Sequence, residues 1–357
     1  MLKKIEIEGF KSIRELNIEL APVNILIGSN GVGKSNFISF FKLVNNLYEQ
    51  RLQNYSLKSG ADNLLHFGRK VTKQIRGTLD FGTSKYSFNL EPNTNNGLFL
   101  AKESSAYRPE GNSWALWDKK EAAQESGVKD STTTWDNHLR GHLETFKVYH
   151  FHDTSSSAPL RTASNINDNR ILKEDGENLP AYLYLLQQKF PKNFKRIEKT
   201  IQSIAPFFQN FNLQPNRLDE SRIKLVWNEV DQPETYFDAS HLSDGSLRFI
   251  ALATLLLQPN LPKVIIIDEP ELGLHPVAIN KLAGLIKSAS QKNCQIIVST
   301  QSVNLLNNFE PESIITVDKV DNQSSFSRLE SNNLRDWLDD YSIGELWTKS
   351  VIHGQPI

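Results

Sequence analysis

Hydrophobic residues at the start of the chain alternate with charged ones. Leu2, Ile5 and Ile7 stand among Lys and Glu at roughly period two, and Leu16, Ile18 and Leu20 repeat the pattern, which predicts two strands with one wet face. Residues 23–27 form a short apolar run, as expected of a strand buried on both sides. It ends at Gly28 in a glycine-rich turn. Phe37, Ile38, Phe40, Phe41, Val44 and Leu47 then recur at helical spacing. The first unit is therefore strand, glycine loop, helix.

Further along, residues 75–81, 86–90 and 98–100 read as strands separated by Gly, Ser and Asn turns. Residues 102–137 are polar with little periodicity, and Trp114, Trp117 and Trp135 predict an ordered insertion with a mobile part. Residues 146–151 look like another strand and 154–168 like a loop. Residues 179–211 carry helical periodicity and the basic residues Lys189, Lys192, Lys195, Arg196 and Lys199, which predicts a small helical subdomain. In the last third, helices at 247–257 and 276–291 alternate with strands at 264–267 and 295–300, a pattern that predicts a mainly parallel α/β sheet. The expected division is 1–100, an insertion at 101–212, and 213–357.

Composition narrows the class. The chain has 357 residues, 39% of them hydrophobic, enough to bury a substantial core. With 40 basic and 41 acidic residues, no net field draws it to nucleic acid or a lipid surface, although a local basic face remains possible. One cysteine, Cys294, excludes a disulfide framework and a Cys-rich zinc site. No apolar run approaches the ~20 residues of a membrane span, and the first residues lack a signal-peptide core, so a cytoplasmic protein is expected, with no membrane partner.

Three segments carry candidate chemistry. Gly28-Ser29-Asn30-Gly31-Val32-Gly33-Lys34-Ser35 fits G-x-x-x-x-G-K-[ST] at every specified position, between a buried strand and a helix. Glycines let backbone N–H groups encircle phosphates, Lys34 is placed to reach the β- and γ-phosphates of a nucleotide such as ATP, and the Ser35 hydroxyl to ligate Mg²⁺. Asn30 and Asn36 are expected to shape this loop. Next, Val264-Ile265-Ile266-Ile267-Asp268-Glu269-Pro270 delivers two carboxylates at the end of a buried strand, where open α/β sheets bind ligands. Asp268 is the candidate metal ligand and Glu269 the candidate general base. The third, His241-Leu242-Ser243-Asp244-Gly245-Ser246, precedes a helix and reads locally as an N-cap.

Taken in order, these segments and the continuation Asp268-Glu269-Pro270-Glu271-Leu272-Gly273-Leu274-His275-Pro276 resemble the ABC-type ATPase heads of the RecF, SMC and OLD group. The resemblance covers residues 1–50 and 235–320 well and the middle poorly. It implies an ATP- and Mg²⁺-dependent P-loop fold, a mixed sheet with flanking helices and a helical and loop insertion. It also implies a homodimer, or a larger assembly of dimers, in which Ser243 and Gly245 of one head close on the γ-phosphate held by the other. DNA, or a separate nuclease or toxin effector, would be the partner, in DNA repair or phage defence.

Several positions depart from that pattern or leave it open. Leu242–Ser246 differs from Leu-Ser-Gly-Gly-Gln at Asp244 and Ser246, and Gln301 stands where the switch strand usually ends in His. An amide bonds a phosphate or a water but takes no proton, so slow or regulated hydrolysis is expected. Gln74 is the nearest candidate for the Mg²⁺-touching glutamine of the family. His275 fits an interface or a helix start. His150 and His152 face one side of a strand as a metal pair would, but nothing at convincing spacing completes a site, so they read as sheet-edge histidines. Trp337 and Trp347 predict an amphipathic helix packed on the sheet. The chain looks too short for the nuclease that OLD proteins append. The rival readings are a low-turnover ATP-dependent scaffold, a transporter ATPase subunit and, last, a small-molecule kinase.

Overall fold

The computed structural model describes residues 1–108 and 114–354, without the side chains of residues 117–120, 134, 135 and 233. The chain divides into two compact units. The first comprises residues 1–148, 262–268 and 293–357, and the second 149–261 and 269–292.

In chain order the first unit begins with β1 (Lys4–Phe10), β2 (Ile13–Glu19), β3 (Val23–Ile27), α1 (Lys34–Tyr48), α2 (Leu52–Ser59) and α3 (Ala61–Leu64). It continues through β4 (Ile75–Asp80), β5 (Ser84–Pro92), β6 (Leu98–Tyr107), β7 (Ala115–Ala123), α4 (Thr134–Leu143) and β8 (Val148–Tyr149). The second unit holds β9 (Ser164–Asn165), α5 (Leu179–Lys189), α6 (Pro191–Gln202), β10 (Phe208–Phe211), β11 (Pro215–Asn216), β12 (Asp219–Ile223), β13 (Val226–Glu229), β14 (Gln232–Asp238), α7 (Asp244–Leu257) and α8 (Pro276–Ser290). The first unit is completed by β15 (Val264–Asp268), β16 (Gln295–Thr300), α9 (Val303–Leu306), β17 (Ile314–Val320), β18 (Gln323–Arg328), α10 (Ser331–Leu338) and α11 (Ile343–Thr348).

Two six-stranded sheets form the first unit. One is antiparallel, in the order β2-β1-β4-β5-β6-β7, and β4 and β5 alternate buried with half-buried or exposed positions as period-two sequences must. The other is mixed, in the order β18-β17-β3-β16-β15-β8, with β17, β3, β16 and β15 parallel. Every residue of β3 and β16 is buried, which explains why those segments read as continuous apolar runs. Against β15 and β16 lies α1, whose other face carries Phe40 to within 5.5 Å of Phe10 and 6.0 Å of Phe88. Gly77 makes room for this. A Cβ there would lie 2.4 Å from Phe88 and 2.8 Å from Phe40.

In the second unit α7 packs against α6 and α8, beside two three-stranded sheets ordered β10-β13-β14 and β11-β12-β9.

Several expectations for the middle of the chain need correction. The polar stretch after residue 101 does not stand apart: β6 runs on to Tyr107 and β7 pairs with it, so both extend the antiparallel sheet. Pairing on an existing edge outweighs the low strand propensity of Lys, Glu and Ser. Trp114 lies under Lys85 and Arg108, at 4.7 and 4.8 Å from its ring, while the side chains of Trp117 and Trp135 fall outside the described residues. The helical periodicity after residue 179 ends at Gln202, and Phe208–Phe211 is a strand. The expected strand at 146–151 shrinks to two residues. Near the C-terminus Trp347 is buried, but Trp337 is 46% exposed and meets Tyr341 rather than the sheet.

Candidate functional site

Strand register builds the site. In the parallel sheet Thr300 pairs with Ile27 and Asp268 with Ser299, so the Gly28 loop, Asp268 and Gln301 all leave the same edge. The loop turns through Gly31 at φ 78° and Gly33 at φ 117°, both in the left-handed region. A Cβ on Gly33 would lie 1.9 Å from Ser324 Oγ, and one on Gly28 2.4 Å from the Val317 carbonyl. Glycine is thus required twice for space and twice for conformation.

Helix α1 opens without a side-chain cap and with no acidic residue in its first turn. The start of α1 therefore presents the positive end of its dipole with no side-chain cap of its own, which suits a phosphate. Lys34 is 5% exposed and donates to the Gly28 carbonyl at 2.5 Å and the Ser29 carbonyl at 2.9 Å, holding its ammonium inside the loop. Behind the loop, Asn36 Nδ2 donates to Ser12 Oγ at 2.6 Å, Ser12 Oγ meets Ser324 Oγ at 2.6 Å, and Ser324 Oγ donates to the Val32 carbonyl at 2.5 Å. This chain of bonds pins the loop to the turn after β1 and to β18.

Ser299, fully buried, donates its hydroxyl to Asp268 Oδ1. Gln301 Nε2 donates to Asn30 Oδ1 at 2.8 Å. Glu269, which opens the next stretch of the second unit, has φ 41°. A left-handed glutamate at a strand end is uncommon, and such strain collects at functional positions. The second unit carries the 242–246 stretch. Ser243 caps α7 by accepting from the Ser246 N–H at 3.1 Å, and it is exposed. Gly245 has a local reason to be glycine, since a Cβ would lie 2.3 Å from the Gly273 carbonyl.

A family described as "AAA domain, putative AbiEii toxin, Type IV TA system" matches residues 23–307. The chain belongs to this family. It is an ABC-type ATPase family member of the group that includes the SMC and OLD proteins. Old nuclease of Escherichia phage P2 is 24% identical over 365 residues, a match covering 90% of this chain and 60% of the phage protein. Energy-coupling factor transporter ATP-binding protein EcfA2 of Streptococcus agalactiae is 32% identical over 117 residues, 31% of this chain and 40% of that protein. The chain thus spans less than two thirds of these relatives. Among solved structures, an SMC head bound to the C-terminal winged-helix domain of ScpA superposes with TM-score 0.59 at 17% identity, covering 94% of this chain and 99% of that one. An SMC head with extended coiled coil, bound to the C-terminal domain of ScpA derived from Pyrococcus furiosus, gives 0.56 at 17% identity, covering 95% and 98%. The shared P-loop fold agrees with the expectation from the motifs.

Within this AAA-domain chain the loop residues, Asp268 and Gln301 come to one sheet edge, whereas Gln74 does not join them. With its amide oriented to suit both groups, Gln74 accepts from Arg76 Nε at 3.0 Å. It lines an open cavity of about 660 Å³ with Glu8, Arg14, Lys73 and Asp321 and no residue of the 28–35 loop. His275 Nδ1 accepts from the Val277 N–H at 3.4 Å and so caps α8. Among the described residues no group of three or more His, Cys, Asp or Glu is placed to hold a metal. No helix among them is long and apolar enough to cross a membrane.

Sequence reasoning missed Ser12, Ser299, Ser324, Arg161 and Arg248 as supports. Arg248 alone gave a signal, the one charge in the mainly apolar stretch 247–257.

Proposed function

We propose that the chain binds and hydrolyses ATP between two copies of itself arranged head to tail, and that this cycle drives action on DNA or on a separate effector. The observation that carries the reading is the uncapped start of α1 facing the edge from which Asp268 and Gln301 emerge.

Phosphate oxygens would replace the Gly28 and Ser29 carbonyls as partners of Lys34, while the N–H groups of the loop and of Lys34, Ser35 and Asn36 close around them. Gly28, Asn30, Gly31 and Gly33 shape that cradle. The Ser35 hydroxyl and the Asp268 carboxylate are hard oxygen donors and fit Mg²⁺, with Ser299 holding the carboxylate in orientation. Mg²⁺ supplies charge neutralisation on the phosphates. Glu269 orients the attacking water and accepts its proton, and Gln301 bonds the γ-phosphate or that water without taking a proton. Ser243 and the backbone at Gly245 meet the γ-phosphate of the opposite copy, which suits the exposure of Ser243. The exposed residues Lys192, Lys195, Arg196 and Lys199 along α6 offer a phosphate-backbone contact. The favoured setting is DNA repair or phage defence in the cytoplasm, a reading that the likeness to a phage protein named as a nuclease supports.

The test is turnover and mass in solution for wild type and Glu269→Gln, with and without duplex DNA. Glu269→Gln should lose about 10²–10⁴-fold in kcat and accumulate as an ATP-bound pair, with wild-type turnover raised by DNA. Absence of ATP-dependent pairing would sink the head-to-tail arrangement. A second reading, a scaffold that barely turns over and restrains a toxin or nuclease, is favoured by Gln301. Stable wild-type pairs with negligible turnover and no response to DNA would select it.

A further inference from the structure

One arginine outside the motifs holds the 239–246 stretch, and a second anchors the helix that follows it. Arg161 lies in the loop between β8 and β9, and its side chain is 9% exposed. Its guanidinium is saturated. Nε donates to the Thr154 carbonyl at 2.8 Å, Nη1 to the carbonyls of Ala239 and Leu242, and Nη2 to the Leu242 carbonyl at 3.2 Å and Asp244 Oδ1 at 2.8 Å. A guanidinium has five N–H donors in one plane, and all five are used. Three of the four acceptor residues lie on either side of Ser243. Arg248, one turn into α7 and buried, ties the helix itself to the chain just after β8. It donates to the carbonyls of Phe151 at 2.8 Å and His152 at 3.0 Å.

The position of Ser243 is thus set by a fork rather than by the helix alone. Asp244 is 64% exposed, so its ion pair with Arg161 adds little, whereas the carbonyls of Ala239 and Leu242 depend on the buried plane of the guanidinium. Lysine has three donors on a flexible stem and could not span those acceptors together.

We propose that Arg161 is a positioning residue for the ATP held by the opposite copy: it presets the Ser243 turn, and through it one half of each composite site. The proposal rests on the head-to-tail reading. Because the bonds of Arg161 go to the Ser243 turn, its loss should leave nucleotide capture by the 28–35 loop intact and damage the pair in trans.

The experiment uses the full chain. Arg161→Ala should bind a fluorescent ATP analogue within about twofold of wild type yet lose about a hundredfold in kcat, since an error near 1 Å in a positioned group costs that much. Arg161→Lys should be no better than about threefold above it. Mixing Arg161→Ala with Glu269→Gln should restore turnover well above either alone, because one mixed site then joins an intact Glu269 to an intact Ser243 turn. A mixture of Ser243→Arg with Glu269→Gln is the control. If the control regains turnover and the Arg161 mixture does not, the proposal is overturned while the head-to-tail reading stands. If neither does, that reading falls and takes the proposal with it. Wild-type kcat in Arg161→Lys overturns it as well, and that variant decides the matter should Arg161→Ala fail to fold.

Discussion

Gln301 donates its side-chain amide to Asn30 Oδ1 at 2.8 Å, so the end of β16 is tied to the tip of the phosphate loop by two amides. A γ-phosphate entering the loop would compete for this bond, which couples Gln301 to occupancy of the site. Gln301→Ala and Asn30→Ala should each lower kcat by about tenfold with little change in the KM for ATP, and the double variant should be no worse than the worse single one, as for residues acting as a unit. Steady-state turnover of the four proteins checks this. Additive losses would separate the two roles.

Ser299 lies behind Asp268 and bonds its carboxylate. Partners of this kind orient a ligand without touching the ion, and their loss typically weakens metal affinity by about 10–100-fold. Ser299→Ala should therefore raise the Mg²⁺ concentration for half-maximal turnover by about tenfold while leaving kcat at saturating Mg²⁺ near wild type. A Mg²⁺ titration decides it.

The loop glycines should differ in tolerance. Gly31 is left-handed, with nothing within 4 Å of the point where a Cβ would stand, so Gly31→Ala meets only backbone strain, about 1–2 kcal/mol. Gly33→Ala adds overlap with Ser324 and Ser12 to a φ of 117°, and about 2–4 kcal/mol is expected. Denaturant midpoints should rank wild type above Gly31→Ala above Gly33→Ala, with nucleotide binding lost in the last.

His142 stacks on Phe81 at 4.5 Å, and burial, followed by the nearby cations, pushes its pKa from 6.5 down to about 3. Between those values the unfolded chain binds the proton and the folded chain does not. Stability should then fall as pH is lowered from about 6.5 toward 3. Replacing the ring by Phe keeps the stack and removes the proton site, so His142→Phe should show a shallower loss of stability between pH 7 and 5 in chemical unfolding.

The loop, the Asp268 strand and the parallel sheet were legible because each is local: a run of apolar residues, a glycine spacing, a strand end. Asp268 and Gln301 leave one edge because parallel register follows from strand order. What was not legible depends on pairing across long separations. Lys102 and Glu121 join one sheet through neighbours rather than by their own propensity. Ser12 and Ser324, more than three hundred residues apart in the chain, meet at 2.6 Å with nothing local to mark either. Arg161 is one of many surface-type residues until its five bonds are seen. Gln74 illustrates the opposite error, a residue chosen by position in the order and found bonded to its neighbour Arg76.

The bare beginning of α1 also has a thermodynamic meaning. A missing cap typically costs a helix about 1 kcal/mol, and a bound phosphate group would supply what no side chain here does. On the proposed function, nucleotide would serve as a folding ligand as well as a fuel: at about a hundred times its dissociation constant it would add about 2.7 kcal/mol to the stability of the native state. The melting temperature would then rise with the concentration of bound nucleotide, and its loss would be felt first where α1 begins.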